Sequence, residues 1–306
     1  MPSVSKWSLS IALGFALLAV VTDCQSQESQ ESKSPQNAAE AKADKTGGSI
    51  AAALVFQSTM NSVTDCNLFA EDGWHYKAES LKRKKLEQQG ALKGVAIKDS
   101  GGVSGDCLQF ANKTKEVILY KSKLTADFYP RPNWEGSISF FLKCNPDRDL
   151  GDDYCDPIQI AGRKWNDASI WCDFDKTSPR TFRMGVFSDF AHWNPTKAKY
   201  EEIPKSDLPI ITVVAPPFSH TQWTHVLMTF QNINSTDGKK GTAKLYLNGE
   251  LQGKMERDFK LTWNEDDPMP AIMMGLNYVG GFDELSIYNR ALTDKEAMHL
   301  NRSTRE

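Results

Sequence analysis

The order of strands and turns between Trp223 and Leu300 is the feature that most constrains the fold of this chain. Two segments alternate between apolar and polar residues, 223–231 and 243–251, and two shorter strand-like segments follow at 272–275 and 281–288. Alternation with a period of two is typical of strands that bury one face. Successive strands with only turns between them indicate an all-β architecture.

Two local signals set the geometry of this second half. The dipeptide Asn248-Gly249 lies between two strand-like segments and allows positive φ at both central residues, which predicts a type I′ hairpin. Thr293 and Glu296 form a capping box that opens a short amphipathic helix. The chain is therefore predicted to be all-β with one short helix at its C-terminus.

The segment 281–288 departs from simple alternation. Phe282 belongs to one register, whereas Leu285 and Ile287 belong to the other. A β-bulge inserts one extra residue into a strand and changes the phase of its side chains. A bulge near Asp283-Glu284 would bring all three apolar side chains to the core.

Together with the first half of the domain, these segments resemble the laminin-G-like domains of the concanavalin A-like lectin/glucanase superfamily. Residues 101–110 resemble the glycine-rich turn and strand before the first core sheet, and 134–142 resemble the tryptophan-led strand of those domains. Residues 156–160, 165–170 and 182–185 are similar to a variety found in secreted proteins of planctomycete-like bacteria. The resemblance implies a two-sheet antiparallel jelly-roll sandwich.

The N-terminal part of the chain is predicted to lie outside this domain. Lys6 precedes an apolar run at 7–21, which is shorter than the ~20 residues of a spanning helix, so 1–24 is predicted to be a signal peptide. An uncleaved anchor is one alternative. A lipid anchor at Cys24 is another, although Asp23 stands where a lipobox normally has a small residue.

Residues 25–48 are rich in Gln, Ser, Glu, Lys and Ala, a composition typical of a disordered polar linker. The remaining residues, 49–306, are predicted to form the laminin-G-like jelly-roll domain. The expected location is secreted, periplasmic or at the cell surface, with no membrane span in the mature chain. The net charge of −3 gives no indication of a nucleic-acid partner.

The expected export of the chain bears on how its cysteines are interpreted. Disulfides form in oxidising compartments, and Cys144 and Cys155 flank what reads as a single hairpin loop, so a disulfide between them is predicted. Cys66 with Cys107 is a weaker second pair. Cys172 alternates with apolar residues and is interpreted as a buried small hydrophobe.

Three tryptophans in or beside loops, Trp165, Trp193 and Trp263, are the candidates for a sugar-binding platform. Aromatic rings offer a flat apolar face on which a pyranose ring can stack. Trp171 and Trp223 lie within strand-like segments, which makes them weaker candidates.

Two regions suggest calcium. The polar loop 145–154 carries four aspartates, and a hard cation prefers several oxygen ligands from one compact segment. The family resemblance implies a second site, in which a structural calcium ion near the N-terminal strand would involve Asp65 and Asp283.

Motifs for catalysis are scarce. Laminarinase-type glycosidases on this fold use Glu-x-Asp-x-x-Glu, and neither 256–261 nor 265–270 completes that motif. The resemblance therefore implies a non-catalytic module that binds a polysaccharide or other glycan, or an extracellular protein. One alternative is a carbohydrate-active hydrolase with an unrecognised carboxylate pair. Another is a structural envelope protein that binds only other proteins.

Overall fold

A computed structural model describes residues 49–62, 75–88, 95–98, 101–120, 128–263 and 270–303. These residues lie in one compact unit that begins at Gly48. The predicted signal peptide and linker, and with them Cys24, lie outside the described residues, as do Asp65 and Cys66.

The described residues form sixteen strands, four α-helices and two single-turn 3₁₀ helices at Tyr200–Glu202 and Lys205–Asp207. None of these helices is long and apolar enough to span a membrane. The helices are α1 (Ile50–Ala53), α2 (Pro146–Asp149), α3 (Phe190–Trp193) and α4 (Asp294–Ser303). The strands are β1 (Leu54–Ser58), β2 (His75–Ala78), β3 (Leu86–Gln88), β4 (Val95–Lys98), β5 (Cys107–Phe110), β6 (Val117–Tyr120), β7 (Trp134–Lys143), β8 (Cys155–Ala161), β9 (Ser169–Phe174), β10 (Phe182–Phe187), β11 (Ile210–Val213), β12 (Thr224–Ile233), β13 (Gly241–Leu247), β14 (Glu250–Arg257), β15 (Ala271–Leu276) and β16 (Gly280–Tyr288).

The strands build two antiparallel sheets, which confirms the predicted all-β sandwich. Sheet A has the order β14-β13-β12-β7-β16-β5-β4, and β1 pairs with the second half of β16. Sheet B has the order β11-β10-β9-β8-β15-β6-β2-β3. Many spatial neighbours are distant in sequence, for example β7 beside β16 and β8 beside β15, which is the connectivity expected of a jelly roll.

The core lies between the two sheets and follows the alternation of the strands. In sheet A, Phe140 and Met228 point inward, and in sheet B, Cys172 and Phe174 do so. Burial of this apolar surface provides the main stabilisation of the domain. The prediction that Cys172 is a buried small hydrophobe is confirmed.

The predicted turn and C-terminal helix are both present. Asn248 and Gly249 have φ of 52° and 80° and join β13 to β14 as a two-residue hairpin loop. The Glu296 carboxylate accepts a hydrogen bond from the Thr293 backbone N–H (2.8 Å), and the Thr293 hydroxyl accepts one from the Glu296 N–H (3.3 Å). This reciprocal pair is the capping box that starts α4.

The predicted bulge in β16 is also present. The register against β7 shifts between Asp283 and Ser286, and Glu284 has a positive φ of 51°. The phase change buries Phe282, Leu285 and Ile287 together in the core. A local irregularity that the hydrophobic pattern required is therefore built into the strand.

The outer faces of the two sheets are covered differently. On sheet A, α1 and α4 pack over an apolar cluster that includes Leu227, Tyr246 and Ala297. On sheet B, outward-facing residues of β2, β6 and β15 form a second cluster around Leu119 and Met273, against which Leu81 packs. Among the described residues, no such cluster covers the outer face over β9 to β11, where a cavity opens instead.

Candidate ligand-binding cleft on sheet B

An open cavity of about 1010 Å³ lies over this exposed part of sheet B. Its floor is formed by outward-facing side chains of β8, β9 and β10, and its sides by the loops that precede and follow those strands. We call this cavity the cleft. The residues that define it here are Tyr154, Asp156, Trp165, Trp171, Asp173, Arg183, Tyr200 and Asn277.

An ion pair between neighbouring strands forms the centre of the floor. Arg183 of β10 stands opposite Asp173 of β9, and its Nε donates to Asp173 Oδ1 at 2.8 Å while Nη2 donates to Oδ2. Burial alone would lower the pKa of Arg183, but the hydrogen bond with Asp173 raises it above its ordinary value. The bidentate geometry fixes both side chains and occupies both carboxylate oxygens.

Next to this ion pair, Trp171 lies flat across the floor. Its register partner on β10 is Gly185, and a Cβ atom at position 185 would overlap the indole ring. The absence of a side chain there gives the ring its space, and it stacks on Phe187 with 5.7 Å between ring centroids. The Trp171 indole N–H donates to the backbone carbonyl of Trp165 at 2.8 Å, which ties the floor to the adjoining loop.

Two aromatic side chains on the sides of the cleft are exposed to solvent. Tyr154 is 40% exposed and Trp165 is 38% exposed, which is unusual for rings of this size. Trp165 is held in edge-to-face contacts with Trp171 (6.2 Å) and Tyr200 (5.1 Å). The Arg183 guanidinium lies 4.8 Å from the centroid of the Tyr154 ring. Both exposed rings are therefore held in position by neighbouring protein side chains.

Asp156 is a carboxylic acid at the edge of the floor. A bulge in β8 between Cys155 and Ile158 changes the phase of the strand, and Asp156 pairs in register with Leu276 of β15. Within the described residues, its carboxyl group has no hydrogen-bond or ion-pair partner. Burial, and then the nearby charge of Asp173, raise the pKa of Asp156 well above its ordinary value, while Arg183 acts in the opposite direction.

The residue after Leu276 adds a second acceptor. Asn277 lines the cleft, is only 8% exposed, and donates from Nδ2 to the Tyr154 carbonyl at 3.2 Å. Its Oδ1 is buried and, among the residues described, receives no hydrogen bond. The β8–β15 side of the floor is therefore rich in acceptors that the protein does not satisfy.

The three predicted platform tryptophans lie in different places. Trp165 lines the cleft. Trp193 lines a separate cavity of about 340 Å³, and its indole N–H donates to the Asn166 carbonyl at 2.8 Å. Trp263 is 6% exposed and packs 5.3 Å from Trp134 in the core, so the prediction that it belongs to a sugar platform is corrected. Its ring packs among core residues, and it is not one of the described residues that line the cleft.

The cysteines of the predicted disulfide and Asp283 of the predicted calcium site are all buried. Cys144 and Cys155 are buried free thiols, so the bridge between them is not present in this structure. Asp283 is fully buried, and its carboxylate accepts hydrogen bonds from the backbone N–H groups of Val103 (2.6 Å) and Glu284 (2.9 Å). Within the described ranges, which exclude Asp65, no group of three or more metal-binding side chains occurs.

The aspartates of the polar loop 145–154 are engaged by protein groups. Asp147 accepts hydrogen bonds from the Ser178 hydroxyl (2.7 Å) and the Arg180 N–H (2.9 Å), and Asp149 accepts one from the Asn145 N–H (2.7 Å). Asp153 is paired with Lys113 at 2.9 Å. These contacts connect the loop to Lys113 and to the segment around Ser178 and Arg180.

Sequence reasoning missed Tyr154, Trp171, Asp156 and Arg183 as cleft residues. One usable signal was present in β9, where Trp171 and Asp173 alternate with the core residues Cys172 and Phe174. A large aromatic ring and a carboxyl group on the outer face of one strand are the kinds of side chain that contact a ligand.

Comparison with known proteins agrees with the fold. The family model described as the concanavalin A-like lectin/glucanases superfamily matches residues 169–298, from the first residue of β9 into α4. No curated protein matches the chain significantly. The match covers the same C-terminal strand order that carries the laminin-G-like resemblance.

Several solved structures are similar at low identity. Domain 4 of AbnA, a GH43 extracellular arabinanase from Geobacillus stearothermophilus in complex with arabinotriose, is 16% identical, with 81% of this chain and 98% of that chain covered and a TM-score of 0.47. The binding domain of Botulinum neurotoxin DC in complex with SialylT is 12% identical, with 75% of this chain and 50% of that chain covered and a TM-score of 0.44.

The Ruminococcus gnavus IT-sialidase CBM40 bound to alpha2,3 sialyllactose is 15% identical, with 56% of this chain and 84% of that chain covered and a TM-score of 0.35. Likenesses at this level say nothing about the ligand of this chain. The resemblance to planctomycete-type secreted proteins is not tested by them and stays a prediction.

Proposed function

We propose that this protein is a non-catalytic binding module that holds a glycan in the cleft on sheet B. The observation that carries the proposal is the pair of exposed rings, Tyr154 and Trp165, on the sides of a cavity of about 1010 Å³. Ligand sites are typically concave, with aromatic side chains for contact and a few polar groups for orientation. Asp173, Arg183 and Asp156 supply such polar groups on the floor.

The geometry of the floor favours binding over hydrolysis. Hydrolysis of a glycosidic bond needs one carboxylic acid as proton donor and one free carboxylate as base or nucleophile. Asp156, with its raised pKa, has the character of the first. Asp173 does not fit the second role, because both of its oxygens accept hydrogen bonds from Arg183.

The test is retention of the purified domain on a panel of immobilised or gel-embedded polysaccharides, with reducing ends measured in parallel. Trp165→Ala is expected to lose retention, whereas Leu251→Ala, which removes an exposed apolar side chain of β14 outside the cleft, is expected to keep it. New reducing ends that disappear in Asp156→Asn would instead establish the hydrolase. Failure of every polysaccharide to retain the protein would refute the proposal and favour the structural envelope protein.

We further propose that the module acts outside the cytoplasm, after removal of a leader. The support is the apolar run at 7–21 followed by the polar segment 25–48. Mass spectrometry of the mature N-terminus tests this, and a lipid on Cys24 would establish the anchored form. Recovery of the intact Met1 form from the cytosolic fraction would contradict export.

A further inference from the structure

On the β8–β15 side of its floor, the described part of the cleft has more hydrogen-bond acceptors than donors. Asp156 and Asn277 are near neighbours on the β8–β15 ladder, because Asp156 pairs in register with Leu276 and Asn277 follows it. Within the residues described, neither the Asp156 carboxyl group nor Asn277 Oδ1 has a protein donor. A buried acceptor without a donor, such as Asn277 Oδ1, is costly, so this position favours a ligand that brings a donor.

The charged side chains that line the cleft differ in their exposure to solvent. Arg183 is the cation of the floor, and Asp173 neutralises it through two hydrogen bonds. The remaining cations that line the cleft, Lys115, Lys176 and Lys205, are exposed at its rim. Exposed charges are screened by salt, whereas partly buried ones are screened much less. Asp156 has no cation of its own on the floor. Burial raises its pKa and so favours its protonated form, and a cation bound against it would favour release of that proton.

From this arrangement, and resting on the proposed function, we infer that the preferred glycan carries a free amino group, which its ammonium form places against Asp156 while a sugar ring stacks on Trp165 or Tyr154. An ammonium group supplies up to three donors and one positive charge. An ammonium group can donate hydrogen bonds to Asp156 and Asn277 and also brings a positive charge, whereas a hydroxyl group brings only a donor. A uronic acid would bring a third carboxyl group next to Asp156 and Asp173, where burial already disfavours negative charge.

The probes for the test are a tetramer of β-1,4-linked glucosamine and the same tetramer with every amine acetylated. The two differ only in the acetyl groups, so the stacking surfaces of their rings are alike. Binding of each is measured by calorimetry on the full domain at low and at physiological salt. The wild type is expected to bind the free amine about tenfold more tightly, the effect of one charge-assisted hydrogen bond.

Two variants separate this inference from the proposed function. Asp156→Asn keeps the shape of the side chain and is expected to abolish the preference for the free amine, so that the two tetramers bind with similar affinity. Glu201→Gln, an exposed acid on the rim of the same cleft, is the matched control and is expected to keep the preference. Trp165→Ala is expected to weaken both tetramers.

The outcomes are distinguishable. If both tetramers bind equally and depend on Trp165, glycan binding stands and the amino-group inference is overturned. The amino-group inference is also overturned if Asp156→Asn keeps the preference, or if Glu201→Gln loses it to the same extent. If neither tetramer binds and no neutral polysaccharide is retained, the proposed function itself fails and this inference fails with it.

Discussion

The buried carboxylate at the β16 bulge offers a direct test of how this domain is held together. Asp283 accepts hydrogen bonds from the N–H groups of Val103 and Glu284 and so connects the glycine-rich turn before β5 to the irregular part of β16. Replacement by alanine removes both acceptors. Each polar group left without a partner costs ~1–3 kcal/mol, and these two N–H groups are only partly buried, so the expected loss is roughly 2–4 kcal/mol.

The measurement is urea denaturation followed by tryptophan fluorescence, supported by calorimetric melting. For a domain of about this size, a loss of 1 kcal/mol lowers Tm by ~2–4 °C, so Asp283→Ala should melt on the order of 10 °C lower. Asp283→Asn should also lose stability, because it keeps the volume but only one acceptor oxygen. Asp152→Ala is the control, since Asp152 is fully exposed and should change stability by less than ~0.5 kcal/mol.

An unchanged free energy of unfolding in Asp283→Ala would refute this reasoning. The calcium hypothesis is tested in the same experiment. If EDTA lowers the Tm of the wild type and leaves Asp283→Ala unaffected, a metal ion contributes to holding the carboxylate. If EDTA has no effect on either protein, the Asp283 carboxylate is held by protein groups such as the N–H groups of Val103 and Glu284.

Three further predictions follow from the cleft and the core. Gly185→Ala should push the Trp171 indole off the floor, which costs ~1–3 kcal/mol of stability and weakens glycan binding; full retention on polysaccharide at wild-type stability would contradict it. Burial raises the pKa of Cys144 to about 12 and of Cys155 to about 11, so a thiol reagent at pH 8 should label them only after denaturation. Linked peptides in a non-reducing digest of natively exported protein would instead support the predicted bridge. Burial raises the pKa of folded Asp156, so it keeps its proton above pH ~4, where an unfolded aspartate has lost it. The free energy of unfolding of the wild type should therefore fall as the pH rises from ~4 towards the pKa of folded Asp156. Denaturation curves of Asp156→Asn should lack this part of the fall.

Much of the fold was accessible from the sequence because the determining signals are local. The Asn248-Gly249 turn and the capping box at Thr293 depend on a few adjacent residues, and both predictions are confirmed. The bulge at Asp283 was predictable because three apolar residues, in two registers, all had to reach one core. In each case the pattern excludes the alternatives without reference to the rest of the chain.

The cleft was less accessible because its residues depend on contacts distant in sequence. Trp171 was a weaker platform candidate because it lies within a strand, and its pairing with Gly185 is what leaves room for its indole on the outer face. Trp263 read as a loop residue, but its indole N–H donates to the Ala168 carbonyl at 2.8 Å, and its ring closes the core beside Trp134. Neither partner is near in the sequence, so loop or strand position alone does not show which of the two indoles lines the cleft.

The bulge in β8 was likewise not predictable from the sequence. Asp156 faces the cleft because β8 changes phase between Cys155 and Ile158. Unlike the bulge in β16, which reconciles three large apolar residues, this one brings only Cys155 into the core, and a single cysteine does not require a bulge. Its other effect is to place the Asp156 side chain at the cleft.

The alternation in β9 has a consequence for how such a domain can diversify. Trp171 and Asp173 face the cleft, while Cys172 and Phe174 face the core, within four consecutive residues. Point substitutions at the odd-numbered positions can therefore retune ligand choice while the interior stays intact. A single-residue insertion or deletion in the same strand would exchange the two faces and damage both at once. Descendants of this domain should accordingly vary by replacement within β9 and by length change only in the loops that flank it.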